Sequence, residues 1–296
     1  MRLMALPDQR QSIGHFFNFS RCTMIDRYAV FGNPISQSKS PLIHSMYAEA
    51  TGQALVYSAI EAPLDGFKAS LDAFRNGGGR GANVTMPFKL QAFDVATDPM
   101  ESAKLAGAVN ALKFEGDRIY AQNFDGVGLV NDIQRNLGFS LAGKRVLICG
   151  AGGATRGAIL PIAAQKPALL AIANRTAEKA HDLKSAFAGH AALQACGYED
   201  LAGESFDVVL NATSTGMSHD ALPLPAGVFA PGALAYELVY GKGLTPFLKQ
   251  ARTAGVTHVA DGVGMLAEQA AEAFEWWRGV RPDTRAVIQR LTVPLI

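Results

Sequence analysis

The chain has 296 residues, with 27 Lys and Arg against 26 Asp and Glu (formal net charge +1), 49% apolar residues and 18% charged ones. That length fits two domains of about 100–200 residues each, and the composition excludes a disordered or fibrous chain. The balanced charge leaves no electrostatic footprint for nucleic acid or an anionic membrane surface.

Residues 1–24 read as an extension: a brief aromatic run (Phe16, Phe17, Phe19) follows polar residues, without the apolar core of a secretion signal. From Arg27 the chain alternates β-prone runs with helix-length segments, the α/β pattern. Strands are expected at Tyr28–Phe31, Leu55–Ala59, Gly81–Val84, Ala111–Glu115 with Arg118–Ala121, Arg145–Cys149, Leu169–Ala173, Val208–Asn211, Ala235–Leu238 and His258–Ala260. A domain boundary is expected at Gly126–Gly128, followed by a helix over Leu129–Leu137. The domains are then 25–126 and 127–263. The helically spaced Met265, Leu266, Gln269, Ala270, Ala273, Phe274 and Trp277 put 264–296 back on the first domain. The apolar stretch Gly157–Ala173 is broken by Gln165, Lys166 and Pro167, so no membrane span is expected.

The strand Arg145–Cys149 runs straight into Gly150-Ala151-Gly152-Gly153-Ala154. Glycines between a strand and a helix let the backbone approach a pyrophosphate, whose charge the free amides and the helix dipole hold. The third position of a strict G-x-G-x-x-G is Thr155, so the strand and helix on either side carry the assignment. The next strand ends in Asn174-Arg175-Thr176, where a guanidinium pairs with the 2′-phosphate of NADP and an acid would select NAD. Lys179, one helical turn beyond Arg175, is a candidate second cation for that phosphate or a solvated surface lysine.

Three polar clusters sit at or just past strand ends: Ser36 to Pro41, Asn83 to Lys89, and Asn123 to Gly126. Singly, each reads as turn or capping chemistry. Together, at the carboxyl ends of strands in an open sheet, they suit a polyhydroxylated small molecule with a carboxylate. The six histidines and the acids show no metal-ligand spacing, and no metal is expected. Cys22, Cys149 and Cys196 form no C-x-x-C pair, which points to a reducing, cytoplasmic compartment.

In order, Gly32-Asn-Pro-Ile-Ser-Gln-Ser-Lys-Ser40-Pro41, Asn83-Val-Thr-Met-Pro-Phe-Lys89, Gly107-Ala-Val-Asn110, Asn123-Phe-Asp125-Gly126, the glycine turn, Asn174-Arg-Thr176, Asn211-Ala-Thr-Ser-Thr-Gly-Met217 and Asp261-Gly-Val-Gly-Met-Leu266 resemble the shikimate dehydrogenase family, which includes shikimate/quinate dehydrogenases. The resemblance runs from about Tyr28 to Trp277. It implies two α/β domains flanking a cleft, an N-terminal substrate domain and a Rossmann-type NADP-binding domain. It also implies a place in the shikimate pathway of aromatic amino acid biosynthesis. By this resemblance Lys89 and Asp125 form the catalytic pair that exchanges the hydroxyl proton while hydride moves to or from the nicotinamide. Ser38 and Ser40 would hold the substrate carboxylate; Asn83, Thr85, Asn110, Asp125, Tyr240 and Gln269 would meet the ring hydroxyls. Thr213, Ser214 and Met217 would lie near the nicotinamide, with Gly262 among the cofactor residues.

The sequence departs from the family pattern at Phe124, in the middle of a motif that usually reads Asn-Thr-Asp; at Glu237, where Asp is usual; and at Gly241-Lys242-Gly243, which replaces the common Asn-Pro. Phe124 beside a catalytic residue is expected to reshape the pocket. These departures motivate the alternative of a quinate or other shikimate-analogue dehydrogenase. A catalytically silent NADP-binding sensor is the reading from another class. Monomer and homodimer are both compatible with the sequence.

Overall fold

The computed structural model describes residues 25–213, 215 and 221–295; the expected 1–24 extension, Ser214 and Met217 lie outside the described residues. The first half of the chain runs β1 (Asp26–Gly32), α1 (Ser40–Thr51), β2 (Leu55–Glu61), α2 (Phe67–Asn76), β3 (Gly79–Val84), α3 (Lys89–Asp94), β4 (Asp98–Pro99), α4 (Glu101–Ala106), β5 (Ala111–Glu115) and β6 (Arg118–Gln122). Its strands form one six-stranded sheet in the order β2-β1-β3-β5-β6-β4. β1, β2 and β3 pair in parallel, and β5 is antiparallel to both β3 and β6. β1, β3 and β6 therefore all point the same way. That brings the chain just past Gly32, Val84 and Gln122, and the start of β5 at Asn110, to one edge of the sheet.

The second half runs α5 (Asp125–Asn131), which continues as a π-helical turn over Asp132–Asn136, then β7 (Arg145–Cys149), α6 (Gly153–Ala163), β8 (Leu169–Ala173), α7 (Ala177–Ala186), β9 (Gln194–Cys196), β10 (Phe206–Asn211), β11 (Phe229–Glu237), α8 (Pro246–Thr253), β12 (His258–Asp261), α9 (Val263–Arg278) and α10 (Arg285–Leu291). β12-β11-β10-β7-β8-β9 form a sheet in which every pairing is parallel. Read from β9, this is the 3-2-1-4-5-6 order of a Rossmann sheet, whose ligand crevice opens where the order reverses, between β7 and β10. β7 and β8 bury every residue but their first. Covered on both faces, they read as continuous apolar runs rather than alternating ones.

α9 leaves the second sheet and packs on α5 and on α1 and β3 of the first half. Its alanine-rich face (Ala267, Ala270, Ala271, Ala273) is buried with Phe274 and Trp277, and small side chains let these helices approach closely. The helix stops at Gly279, whose φ of 71° is the left-handed cap conformation that glycine adopts without a Cβ penalty. No helix among the described residues is long and apolar enough to cross a membrane.

The structure corrects the sequence expectation at four places. Gly126 and Gly128, read as a boundary loop, lie inside α5, which begins at Asp125 and not at Leu129. The residues 132–136, expected to be ordinary helix, form the π turn. β11 starts at Phe229, six residues before the expected strand, because its exposed first half contains Pro231 and Gly232, which mask the pattern. The C-terminal tail does not pack wholly on the first half: Leu295 joins the apolar layer of the second sheet with Phe247 and Leu248.

Candidate active site

Lys89 opens α3 and Asp125 opens α5. Lys89 Nζ donates to Asp125 Oδ2 at 2.5 Å, and both side chains are partly buried, 30% and 14% exposed. One side-chain amide bonds the carboxylate and two others support it. Asn110 Nδ2 donates to Asp125 Oδ1 at 2.8 Å, while Asn110 Oδ1 accepts the backbone N–H of Phe124 at 2.9 Å. Asn123 Oδ1 accepts the Asp125 N–H at 3.1 Å, and Asn123 Nδ2 donates to Ala108 O. Gln269 Oε1 lies 3.4 Å from Asn110 Nδ2, which joins α9 to the network.

Lys89 lines a cavity of about 240 Å³ together with Ser38, Ser40, Asn83, Thr85, Asn110, Tyr240 and Gln269, with Ile35, Gln37 and Leu266 among the other walls. Of the residues assigned to substrate, all but Asp125 line this one cavity, and Asp125 is tied to it through Lys89 and Asn110. Asn83 is held from both ends: Tyr57 donates to its Oδ1 at 2.7 Å, and its Nδ2 donates to Asn110 O at 3.0 Å. Tyr57 in turn stacks on His44, ring centroids 4.1 Å apart and 5° from parallel. Burial raises the Tyr240 hydroxyl pKa above its usual value.

A second cavity, about 720 Å³, lies at the carboxyl ends of β7, β8 and β10. It is lined by Gly150, Ala151, Gly152, Asn174, Arg175, Thr176, Lys179 and Thr213, with Tyr198 and Leu222. It suits a dinucleotide phosphate. Gly150 has a φ of +110°, which only glycine adopts readily, and no atom lies within 4 Å of a Cβ built on Gly152 or Gly153. The first N–H groups of α6 are left without helical partners there. Arg175 and Lys179 are exposed and in no ion pair among the described residues. Thr155, in place of the third glycine, is fully buried and donates its hydroxyl to Gly150 O at 2.7 Å, closing the turn from inside.

Gly153, Ala154 and Gly262 do not line that cavity. Gly153 and Ala154 form the first turn of α6, whereas a Cβ on Gly262 would lie 2.2 Å from Leu238 O, so its glycine serves the close approach of two chain segments.

Sequence models of three segments match the chain: the "Shikimate dehydrogenase substrate binding domain" over residues 30–112, "Shikimate / quinate 5-dehydrogenase" over 132–219 and the "Shikimate 5'-dehydrogenase C-terminal domain" over 262–292. The curated shikimate dehydrogenase (NADP(+)) of Dechloromonas aromatica strain RCB is 55% identical over 273 residues, covering 92% of this chain and all of the relative. The chain belongs to the shikimate dehydrogenase family. Among solved structures of similar fold, an Ael1 enzyme from Pseudomonas putida is 57% identical with a TM-score of 0.88, covering 92% of this chain and 100% of that one. The shikimate 5-dehydrogenase of Thermus thermophilus, solved with NADP(H) and shikimate, is 31% identical with a TM-score of 0.80 and covers 89% of this chain and 97% of its own.

Against the family pattern, the structure corrects the reading of Phe124. Its side chain, 9% exposed, turns away from the substrate cavity into a layer with Tyr28, Ala111, Ala273 and Trp277, and meets Trp276 edge-on at 5.7 Å. Only its backbone N–H faces the active site. Lys242, at another departure, lines a neighbouring cavity with Lys39 and Arg290 that shares Thr85 and Tyr240 with the substrate cavity, and does not line the substrate cavity itself. Tyr57 and His44 went unnoticed in the sequence. Tyr57 meets Asn83 from another strand, and no local pattern marks such a partner.

Proposed function

We propose that this member of the shikimate dehydrogenase family is an NADP-dependent oxidoreductase that interconverts 3-dehydroshikimate and shikimate. The observation that carries this reading is the Lys89–Asp125 pair at a small cavity walled by hydroxyl and amide side chains. The curated relatives named as NADP(+) enzymes, and the neighbour solved with NADP(H) and shikimate, support it. Substrate binding is assigned to the first sheet with α9, and nucleotide binding to the second. The cysteine usage favours a reducing cytoplasm, and the protein acts as a monomer or homodimer.

When bound, the nicotinamide supplies the hydride in reduction and takes it in oxidation. The Lys89 ammonium donates a proton to the carbonyl oxygen as it gains negative charge, and in the reverse direction the amine takes the hydroxyl proton back. Asp125 keeps the ammonium in place and stabilises its charge. Asn110 and Asn123 hold Asp125, so the pair needs little rearrangement at the moment of transfer. Ser38 and Ser40 offer hydroxyl donors to the ring carboxylate. Asn83, Thr85, Tyr240 and Gln269 match ring hydroxyls, and a site built this way rejects rings lacking them. Arg175, with Lys179, meets the 2′-phosphate.

The two features behind the quinate alternative, Phe124 and Lys242, do not face the substrate cavity, and the formed Lys89–Asp125 pair speaks against a silent sensor. Initial rates of nicotinamide reduction with shikimate and with quinate, each against NADP⁺ and NAD⁺, test the reading. A dominant shikimate and NADP⁺ rate is expected. A quinate or NAD⁺ preference, or no rate in any pairing, overturns it.

A further inference from the structure

Glu237 is the last residue of β11 and has no solvent exposure. Its side-chain hydrogen bonds run to the bases of two loops, one carrying Thr213 of the nucleotide cavity and the other Tyr240 of the substrate cavity. Its Oε2 accepts from Asn211 Nδ2 at 2.8 Å and from the Thr245 hydroxyl at 3.1 Å, and its Oε1 accepts the Val239 N–H at 3.2 Å. Asn211 ends β10, and its Oδ1 accepts both the backbone N–H (3.1 Å) and the hydroxyl (2.7 Å) of Thr213. Thr213 lines the nucleotide cavity. Val239 and Thr245 flank the loop that carries Tyr240, which lines the substrate cavity. The far side of that loop is tied by Gly241 N–H to Asp261, whose other oxygen caps α9 at Val263, the helix that bears Gln269.

We propose that Glu237 is a positioning residue that couples nucleotide binding at Thr213 to the placement of Tyr240, so that NADP and the ring substrate tighten each other's binding. The proposal rests on the functional reading above. Such coupling is reciprocal by thermodynamic necessity. The carboxylate suits the task because it is acceptor-only: three donors from two loops converge on one rigid strand end, and a shift of the Asn211 side chain is felt at Val239 and Thr245. Glu237→Gln replaces one acceptor oxygen with an NH₂ group and leaves at least one buried donor facing another donor. Glu237→Asp keeps the acceptors on a shorter stem.

The competing account is that Glu237 only holds the strand end together, in which case Glu237→Gln weakens both ligands by a common factor. Two measurements separate them. In the first, the Kd of NADPH is determined by calorimetry with and without saturating shikimate, a pair that cannot exchange hydride, for wild type, Glu237→Asp and Glu237→Gln. A ratio of roughly fivefold or more is expected for wild type, from the usual size of such couplings. It should fall to about one in Glu237→Gln and be largely restored in Glu237→Asp. A wild-type ratio of one although shikimate binds, or an unchanged ratio in Glu237→Gln, overturns the proposal. In the second, trypsin cleavage after the exposed Lys242 is followed by mass spectrometry with and without NADP⁺. NADP⁺ should slow this cut in wild type and not in Glu237→Gln; equal protection in both overturns the proposal. If wild type binds NADP⁺ but neither binds nor turns over shikimate, the substrate reading fails, and the protection of Lys242 still decides the coupling.

Discussion

A Cβ placed on Gly126 would lie 2.2 Å from the carbonyl oxygen of Gly157 and 2.9 Å from the Ala158 Cα. Here α5 crosses α6 backbone to backbone, one residue after Asp125. A Cβ on Gly157 would in turn meet the side chain of Asn123, which fixes the Asp125 N–H. The spacing between the Lys89–Asp125 pair and α6 is therefore set by two residues without side chains. Gly126→Ala has no flexible neighbour to push aside. It should cost about 1–3 kcal/mol in stability, as overpacking does, and lower turnover by moving α5. Denaturant unfolding alongside kcat checks this, and an unchanged midpoint would contradict the backbone contact.

Lys89→Ala and Asp125→Asn should each lower kcat by about 10²–10⁴-fold, the usual worth of a positioned acid–base group. Neither residue lines the nucleotide cavity, so the Kd of NADP⁺ should hold within a few-fold. A parallel loss of cofactor binding would show that the pair has been given the wrong role.

The nucleotide half was legible because its signals are local. β7 and β8 are unbroken apolar runs, and the glycine turn and Arg175 follow directly from them in sequence. The substrate side was legible mainly through the ordered motifs, since Ser38, Asn83, Asn110 and Gln269 converge only after β1, β3, β5 and α9 are placed beside one another. β4 and β9, at two and three residues, are too short to carry a period. Gly126 and Gly128 were read as punctuation because glycine breaks helices by propensity. In the folded chain their missing side chains admit α6 and α9, and packing overrides propensity. Phe124 misled for a related reason: a residue beside a catalytic group in sequence sends its backbone to the site and its ring to the core.

Phe124→Thr separates those two roles. Truncating a buried Phe costs about 3–5 kcal/mol, and loss of the Trp276 and Trp277 contacts places this variant in that range. The Phe124 N–H bond to Asn110 is independent of the side chain. The ratio of shikimate to quinate rates should therefore stay as in wild type while the unfolding midpoint drops. A changed ratio with unchanged stability would put the ring back in the pocket.

Arg175→Ala should raise the KM for NADP⁺ roughly 10- to 100-fold, from the loss of a charge-assisted hydrogen bond of about 1.5–3 kcal/mol, and leave the KM for NAD⁺ nearly unchanged. Lys179→Ala should have a smaller effect in the same direction, because an ammonium cannot pair with phosphate in two-pronged fashion. Equal effects on both cofactors would mean that Arg175 supports the fold of the cavity and does not read the 2′-phosphate.

His44 gives the protein a signed pH dependence. Its ring is wholly buried among Tyr57, Phe274 and Trp277, with no hydrogen-bond partner at either nitrogen among the described residues. Burial lowers its pKa from 6.5 to about 3, an effect the nearby Asn83 offsets only in part. Between those values the unfolded chain binds a proton that the folded one does not. Stability from this group is complete above pH 6.5 and is lost as pH falls towards 3, at up to about 1.4 kcal/mol per pH unit. Burial raises the pKa of Asp132, Glu237 and Asp261, which contribute with the opposite sign. They are common to wild type and to His44→Phe, so the difference between the two isolates His44. Unfolding free energies measured from about pH 6.5 down to pH 4 should show His44→Phe losing less stability than wild type with each step of acid. A constant difference across that range would mean that the imidazole takes up its proton in the folded protein as readily as in the unfolded chain.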